Sequence, residues 1–308
     1  MSSWDQPVLV IGADTPLGEA LGDFLDQRGT EYLALAKSDC RWKSERQVKK
    51  ALRRNPYRFI VDLRLQSAVD GGGRLHDVDI NRCLWLARVA RALKLPLMLV
   101  SSARVFAGAE GRAYLEEDYP DGESDLARLL SSAEELVREH CPRHVILRFG
   151  ALFSARGSNP LTQLLTQLHE NGNLTLDRHR SGCPVPADDA ARVISGMLDQ
   201  YGCGLEQWGV FHYCSADITS CYGFGEVLLA AASQYTSFAD VSPEALLVSE
   251  EGHTREYRLG CDKIRDTFAI KQQPWRASVA AAVKQFYDSH RTQEKRDGKT
   301  PRQRDATA

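Results

Sequence analysis

Eleven residues near the N-terminus, Val8-Leu-Val-Ile-Gly-Ala-Asp-Thr-Pro-Leu-Gly18, carry the pattern best suited to holding an anion. Val8 to Ile11 are all apolar and predict a buried strand. Gly12 permits a sharp turn, Thr15 supplies a helix-capping side chain, and Pro16 fits the first helical position. Gly18 lets that helix lie close to the strand, and Leu17, Leu21, Phe24 and Leu25 recur at helical spacing. A strand, a glycine turn and a helix N-terminus suit a pyrophosphate, because free N–H groups and the helix dipole both favour negative charge. The pattern departs from a full dinucleotide fingerprint. It has Gly12 and Gly18 but Thr15 between them, and Asp14 would repel a phosphate. A cofactor turn and a plain strand–turn–helix without ligand both remain open.

Other candidates follow at the ends of later strands. Tyr32–Ala36 predicts a second strand ending at Lys37-Ser38-Asp39, the end that faces the adenosine ribose in a doubly wound fold. Lys37 or Arg41 would meet a 2′-phosphate and favour NADP over NAD; otherwise they are solvated loop charges. A third strand is predicted over Phe59–Leu65. The alternation of Leu63, Arg64 and Leu65 would then send at least one large side chain toward the ligand space. Arg64 pairs with a phosphate, fills the space and excludes a cofactor, or sits solvated at the strand end. Leu97–Val100 predicts a buried strand ending at Ser101-Ser102. Arg148, Arg156 and Arg180 are candidate contacts for a diphosphate.

The elements that must position these residues alternate in order. Helices are predicted over 44–54, 78–95 and 123–140, with a strand over 145–147, and Gly71-Gly72-Gly73 reads as a flexible loop. The β-α-β-α-β-α-β-α-β order predicts an α/β fold: a doubly wound, Rossmann-like parallel sheet with helices on both faces. Beyond Arg148 the rhythm changes. Helices over 161–168, 188–201, 222–235 and 275–290, with short strands over 174–176 and 210–213, predict a smaller C-terminal substrate lobe. The expected division is a dinucleotide-binding domain over 1–150, an interleaved lobe over 151–288, and a disordered tail over 289–308.

Composition narrows the class. A net charge of −2 implies no bulk attraction to nucleic acid or to an acidic membrane. No apolar run approaches the ~20 residues of a membrane span, and Met-Ser-Ser-Trp-Asp lacks the regions of a signal peptide. The eight cysteines contain no C-x-x-C pair, which suggests free thiols in a reducing cytosol; neither they nor the histidines have metal-ligand spacing.

Several stretches together resemble the dTDP-4-dehydrorhamnose reductase family of the extended short-chain dehydrogenase/reductase superfamily. Ser67-Ala-Val-Asp70 is similar to the family's segment after the third strand, and Val78-Asp-Ile-Asn81 to the start of its central helix. Ser101-Ser-Ala-Arg-Val-Phe-Ala-Gly108 resembles its S-T-D-Y-V-F-D-G, and Tyr114-Leu-Glu-Glu-Asp118 the loop that follows. Arg148-Phe-Gly, Gly182-Cys-Pro184, Asp188-Asp-Ala-Ala-Arg192 and Trp275-Arg276 continue the match in order over about residues 7 to 287. The resemblance implies reduction of a 4-keto sugar nucleotide with NADPH. That chemistry needs a tyrosine to protonate the carbonyl oxygen, a lysine four residues later, and a serine or threonine on the same oxygen.

Here the chain departs from its family. Aligned on Ala133-Glu134, the tyrosine position is Leu126 and the lysine position is Leu130. No lysine occurs between Lys94 and Lys263, so no register restores the pair. Ser102 and Asn81 remain as remnants of the catalytic set, and the family's Ala-Ala-Ala at the third strand end is replaced by Asp62-Leu-Arg-Leu-Gln66. Leu126, Leu129, Leu130 and Ala133 form a stripe that is either core or an association surface. The implied site is Gly12, Thr15, Leu17, Gly18, Lys37, Asp39 and Arg64 for the cofactor, with Ser102, Arg148, Arg156 and Arg180 for the substrate. The expected function is binding of a nucleotide or sugar nucleotide by a catalytically degenerate or regulatory family member. The alternative is an active NADPH-dependent dTDP-4-dehydrorhamnose reductase with unusual catalytic groups. NADP or NAD is expected to bind weakly or not at all. Expected partners are a nucleotide sugar and either a second protein or a second copy, with no nucleic acid or membrane, in the cytoplasm.

Overall fold

Short, wholly apolar runs build the centre of the molecule, as they must when both faces of a parallel sheet are covered. A computed structural model describes residues 6–109, 111–235, 246–249 and 253–296. The first half runs β1 (Val8–Ile11), α1 (Pro16–Gln27), β2 (Tyr32–Leu35), α2 (Glu45–Leu52), β3 (Phe59–Asp62), α3 (Arg64–Asp70), α4 (Asp77–Leu93), β4 (Leu97–Ser102), α5 (Asp125–His140) and β5 (His144–Phe149). The second half runs β6 (Leu152–Phe153), α6 (Pro160–Asn171), β7 (Leu174–Asp177), β8 (Arg180–Gly182), β9 (Val185–Pro186), α7 (Ala187–Gly202), β10 (Gly209–Tyr213), β11 (Thr219–Ser220), α8 (Cys221–Ala232), β12 (Leu246–Ser249), β13 (Arg255–Tyr257), α9 (Asp262–Phe268) and α10 (Arg276–Arg296).

Six parallel strands form the main sheet in the order β10-β5-β4-β3-β1-β2. The chain leaves β1 to one side for β2 and to the other for β3, so the switch point lies between β1 and β3. Helix α1 packs on α7, and α4 packs between α2 and α5. The sixth strand, β10, and α7 come from beyond residue 150, so the two halves interleave.

The third strand is shorter than its sequence predicts. Its last paired residue is Asp62, opposite Ile11, and Leu63 N–H donates to the Ile11 carbonyl as the chain leaves the sheet. Arg64 then opens α3, so residues 63–65 do not alternate across a strand; all three are buried. The Asp62 carboxylate accepts from Arg64 N–H at 3.2 Å, which favours the turn into the helix.

The lobe has its own apolar core, in which Phe153, Leu165, Leu176, Phe224 and Trp275 are buried. Its small sheets are β11-β8-β13, β12-β7 and β6-β9. Helix α10 continues to Arg296, past the predicted tail boundary at 289; residues 297–308 lie outside the described residues. No described helix is long and apolar enough to cross a membrane. All eight cysteines are free thiols, six of them buried.

Candidate functional site

The turn after β1 has the predicted geometry, but its own side chains occupy it. Gly12 has φ +82°, a conformation suited to glycine. A Cβ on Gly18 would stand 2.2 Å from the Gly12 carbonyl oxygen, so this glycine permits the close strand–helix approach. Thr15 is the N-cap and is buried. Its hydroxyl donates to the Gly12 carbonyl at 2.6 Å and accepts from Gly18 N–H at 3.1 Å, satisfying one of the donors a pyrophosphate would use. Leu17 is buried. Asp14 accepts from Lys37 N–H at 2.5 Å, which ties the turn to the end of β2 and keeps a carboxylate at its mouth. Lys37 and Asp39 are exposed in a short 3-10 helix.

Arg64 fills the switch point. Its Nε and Nη2 donate to the two oxygens of Asp62 at 2.8 and 2.6 Å, and its guanidinium lies 5.4 Å from the centre of the Trp42 ring. Its Cγ is 3.5 Å from where a Cβ on Gly12 would stand, so the side chain rests directly on the glycine turn. Burial works against the Arg64 charge, but Asp62 beside it outweighs burial and holds the guanidinium protonated. The space left on the adenosine side, among Lys37, Arg74 and Arg82, is about 40 Å³.

The opposite side of the crevice is closed by the lobe. Gly157 packs against Pro16, the first residue of α1, where an added Cβ would come within 2.7 Å. The Ser158 hydroxyl donates to the Gly71 carbonyl at 3.2 Å. Arg156 pairs with Glu19 and Asp23 of α1 at 3.5 and 3.1 Å, at the edge of a cavity of about 440 Å³ between α1 and α10, away from the glycine turn. The remaining gap among Leu17, Ser67, Asp70 and Leu152 is about 10 Å³. Asp70 accepts from Leu152 N–H and from Gln66, yet burial dominates and pushes its carboxyl up to about 8. Gln66 Oε1 is buried without a partner. Bound ligands usually occupy clefts of roughly 300–1,000 Å³. By volume, the two gaps beside the glycine turn do not fit a nicotinamide dinucleotide.

The positions expected to deliver a proton are apolar. Leu130 and Ala133 are core, while Leu126 and Leu129 are half-buried against it, so most of the stripe is interior. Ser102 is 1% exposed, and its hydroxyl accepts from Arg104 N–H, capping a 3-10 turn over Ala103–Val105. Asn81 is exposed on α4.

Arg148 is 2% exposed and belongs to the core rather than to a diphosphate site. Ser101, Arg148 and His212 sit in one row across β4, β5 and β10. Arg148 grips Glu134 of α5 through Nε and Nη2, with its shortest contact at 2.5 Å, and Ser101 donates to the same carboxylate at 2.6 Å. Arg148 also donates to His212 Nε2 at 3.2 Å, which leaves the imidazole proton on Nδ1, facing the Tyr114 carbonyl at 3.2 Å. Burial, reinforced by the Arg148 charge, pushes His212 down to about 3.

Arg180 is the one candidate of the three that faces outward beside other arginines. It is exposed on β8, directly paired with Arg255 on β13. Arg104, which follows β4, lies with its guanidinium 5.2 Å from the ring centre of Tyr257 on β13. Sequence reasoning missed Arg104 and Arg255, although Arg104 stands where the family segment S-T-D-Y-V-F-D-G has its tyrosine. Among the described residues no group of three or more His, Cys, Asp and Glu side chains is placed to hold a metal ion.

A parallel sheet with a glycine turn after its first strand, and a lobe built beyond the strand ends, defines an extended short-chain dehydrogenase/reductase fold. A family model described as RmlD substrate binding domain matches residues 6–288, and the chain belongs to that family. It is 28% identical over 206 residues to a dTDP-4-dehydrorhamnose reductase of Sinorhizobium fredii, covering 64% of this chain and 69% of the relative. It is 26% identical over 228 residues to the enzyme of that name from Streptomyces griseus, covering 69% and 72%. Among solved structures it is similar to the Clostridium acetobutylicum reductase, with a TM-score of 0.75 at 16% identity over 90% of this chain and 98% of that one. The Bacillus anthracis reductase in complex with NADP gives a TM-score of 0.72 at 15% identity, over 90% and 97%.

Proposed function

We propose that this chain is a non-catalytic member of its family: a nucleotide-sugar binding protein that keeps the reductase fold and performs no hydride transfer. The single observation that carries this reading is the Arg64–Asp62 pair seated on the Gly12 turn, in the switch-point crevice where a dinucleotide would lie. Leu126 and Leu130 support it, because hydride delivery to a carbonyl needs a proton donor and neither residue can supply one. Ser102 does not replace them. A hydroxyl is a poor acid near neutral pH, and this one already serves the Arg104 turn. The reductases similar to this chain are named for dTDP-4-dehydrorhamnose, so a nucleotide sugar is the ligand class to test.

The test has two arms. Purified protein is mixed with NADPH and dTDP-4-dehydrorhamnose, and NADPH absorbance is followed; no oxidation above the protein-free rate is expected. Melting temperature is then measured with NAD, NADP and dTDP-linked sugars. Only the dTDP-linked sugars are expected to raise it, since a ligand of the native state stabilises by mass action. Turnover of the keto sugar would overturn the reading.

A further inference from the structure

The lobe face carries three guanidinium groups that the fold brings together without an ion pair among the described residues. Arg180 and Arg255 are directly paired neighbours on β8 and β13, an arrangement in which like charges repel. Arg255 and Tyr257 lie two residues apart on β13 and so share a face, and Arg104 lies over the Tyr257 ring. The chain after β4 is held against this sheet: a Cβ on Gly108 would stand 2.9 Å from Arg255 Cβ. Among the described residues no carboxylate lies within ion-pairing distance of the three side chains. Asp177 favours the Arg180 charge from beyond ion-pairing distance, and it and Glu256 have hydrogen-bond or ion-pair partners of their own. Asp177 accepts from the backbone N–H groups of His179 and Arg180 at 2.7 and 3.2 Å, and Glu256 pairs with Arg258 at 3.1 Å.

The surroundings of the cluster also suit an anion. Arg180 Nε is 3.2 Å from the sulfur of Cys221, the first residue of the 12-residue helix α8, so that helix N-terminus adjoins the cluster. Burial, and then the charges of Arg180 and Arg255, lower the Arg104 pKa against the opposing effect of Tyr257, as expected where cations crowd without a counter-ion. Ser102 caps the turn that carries Arg104. The cluster lies beyond the C-terminal end of β4, the edge of an α/β sheet where ligands bind.

We propose that Arg104, Arg180 and Arg255 form a binding site for the phosphate or diphosphate group of a soluble nucleotide. Planar guanidinium forks match phosphate oxygens in geometry as well as charge, and the ligand relieves the repulsion among the three. The site rests on the binding half of the reading above and is independent of whether the crevice at Gly12 takes a dinucleotide.

Inorganic phosphate, inorganic pyrophosphate, dTDP and NADP are titrated into the full chain by calorimetry. Pyrophosphate and dTDP are expected to bind, with phosphate weaker. Arg104→Gln, Arg180→Gln and Arg255→Gln are each expected to raise the Kd by at least about tenfold, the scale of one lost charge-assisted hydrogen bond. Arg54→Gln, at an exposed position outside the cluster, is expected to leave it unchanged. A second readout uses Cys221. In a Cys203→Ser background, bound pyrophosphate is expected to slow alkylation of the Cys221 thiol, and the slowing is expected to disappear in Arg180→Gln. A preference for dTDP over pyrophosphate assigns the ligand as a nucleotide, whereas equal binding assigns the site to free diphosphate. No binding of pyrophosphate or dTDP below millimolar concentration, or binding indifferent to all three substitutions, would overturn the proposal. NADP binding that survives these substitutions but is lost in Gly12→Val would defeat the closed-crevice reading and leave the arginine site standing.

Discussion

Arg64 follows β3 and Arg104 follows β4, two neighbouring strands that end on the same edge of the sheet. Arg64 turns inward, meets both oxygens of Asp62 and closes the space above the glycine turn. Arg104 turns toward the lobe, meets an aromatic ring and two further arginines, and finds no carboxylate among the described residues. One cation has become packing material, and the other is left to attract something. The contrast teaches that the same residue type at neighbouring strand ends does different work according to whether the fold brings it a carboxylate. Arg148 falls on Arg64's side of this comparison. It lies deeper still, with Glu134, Ser101 and His212 completing its contacts.

The comparison can be tested hardest where compensation is complete. Glu134→Gln leaves Arg148 buried without its counter-ion and is expected to cost about 3–5 kcal/mol in urea unfolding. If the cost is near zero, the arginines of the core and of the lobe face do not differ as described.

Placing a Tyr and a Lys at positions 126 and 130 probes the crevice next. Leu126→Tyr with Leu130→Lys places an ammonium group at a position that is 0% exposed. The double variant is expected to lose about 3 kcal/mol or more, because a buried charge gains no partner there. It is expected to gain no NADPH oxidation, which a keto-sugar assay checks.

A pH series sharpens the account of the closed gap. Burial raises the Asp70 carboxyl to about 8, above its unfolded value near 4, so the native state binds the extra proton. That contribution is fully present below about pH 4 and is lost as pH rises to about 8. Asp70→Asn removes the dependence, and its stability relative to the parent should rise by about 3–4 kcal/mol between pH 5 and pH 8.5. His212 gives a slope of the opposite sign on the acid side. Its pKa is depressed to about 3, so its contribution is present above about pH 6.5 and fades as pH falls. The Asp70 effect is therefore read as the difference between the two proteins at each pH.

The smallest effect is expected on the open side. Arg104→Gln or Arg255→Gln in the free protein should change stability by no more than about 0.5 kcal/mol, and removing like-charge repulsion should make the change favourable. Thermal unfolding with and without pyrophosphate separates this small effect on folding from the loss of ligand stabilisation.

The sequence by itself determined the parallel sheet and the Gly12 turn. Apolar runs, glycine turns and helical spacing are local signals, and the strands from Val8–Ile11 to His144–Phe149 lie where those signals put them, except that β3 ends early, at Asp62. It also determined that Leu126 and Leu130 cannot form a proton-donating pair, since side-chain chemistry needs no coordinates. Only the tertiary structure decided what each arginine does. Arg64, Arg148, Arg156 and Arg180 look alike as candidates in the chain. In the fold they become a crevice filler, a core ion pair, a surface strut and a member of an open cation cluster. Ion pairing depends on which carboxylates arrive from distant elements. Glu134 reaches Arg148 from α5, whereas no acid reaches Arg180 from β13, and no local pattern records that difference. The same holds for Arg255, more than a hundred residues from Arg104 in the chain, which only the pairing of β8 with β13 brings to the site.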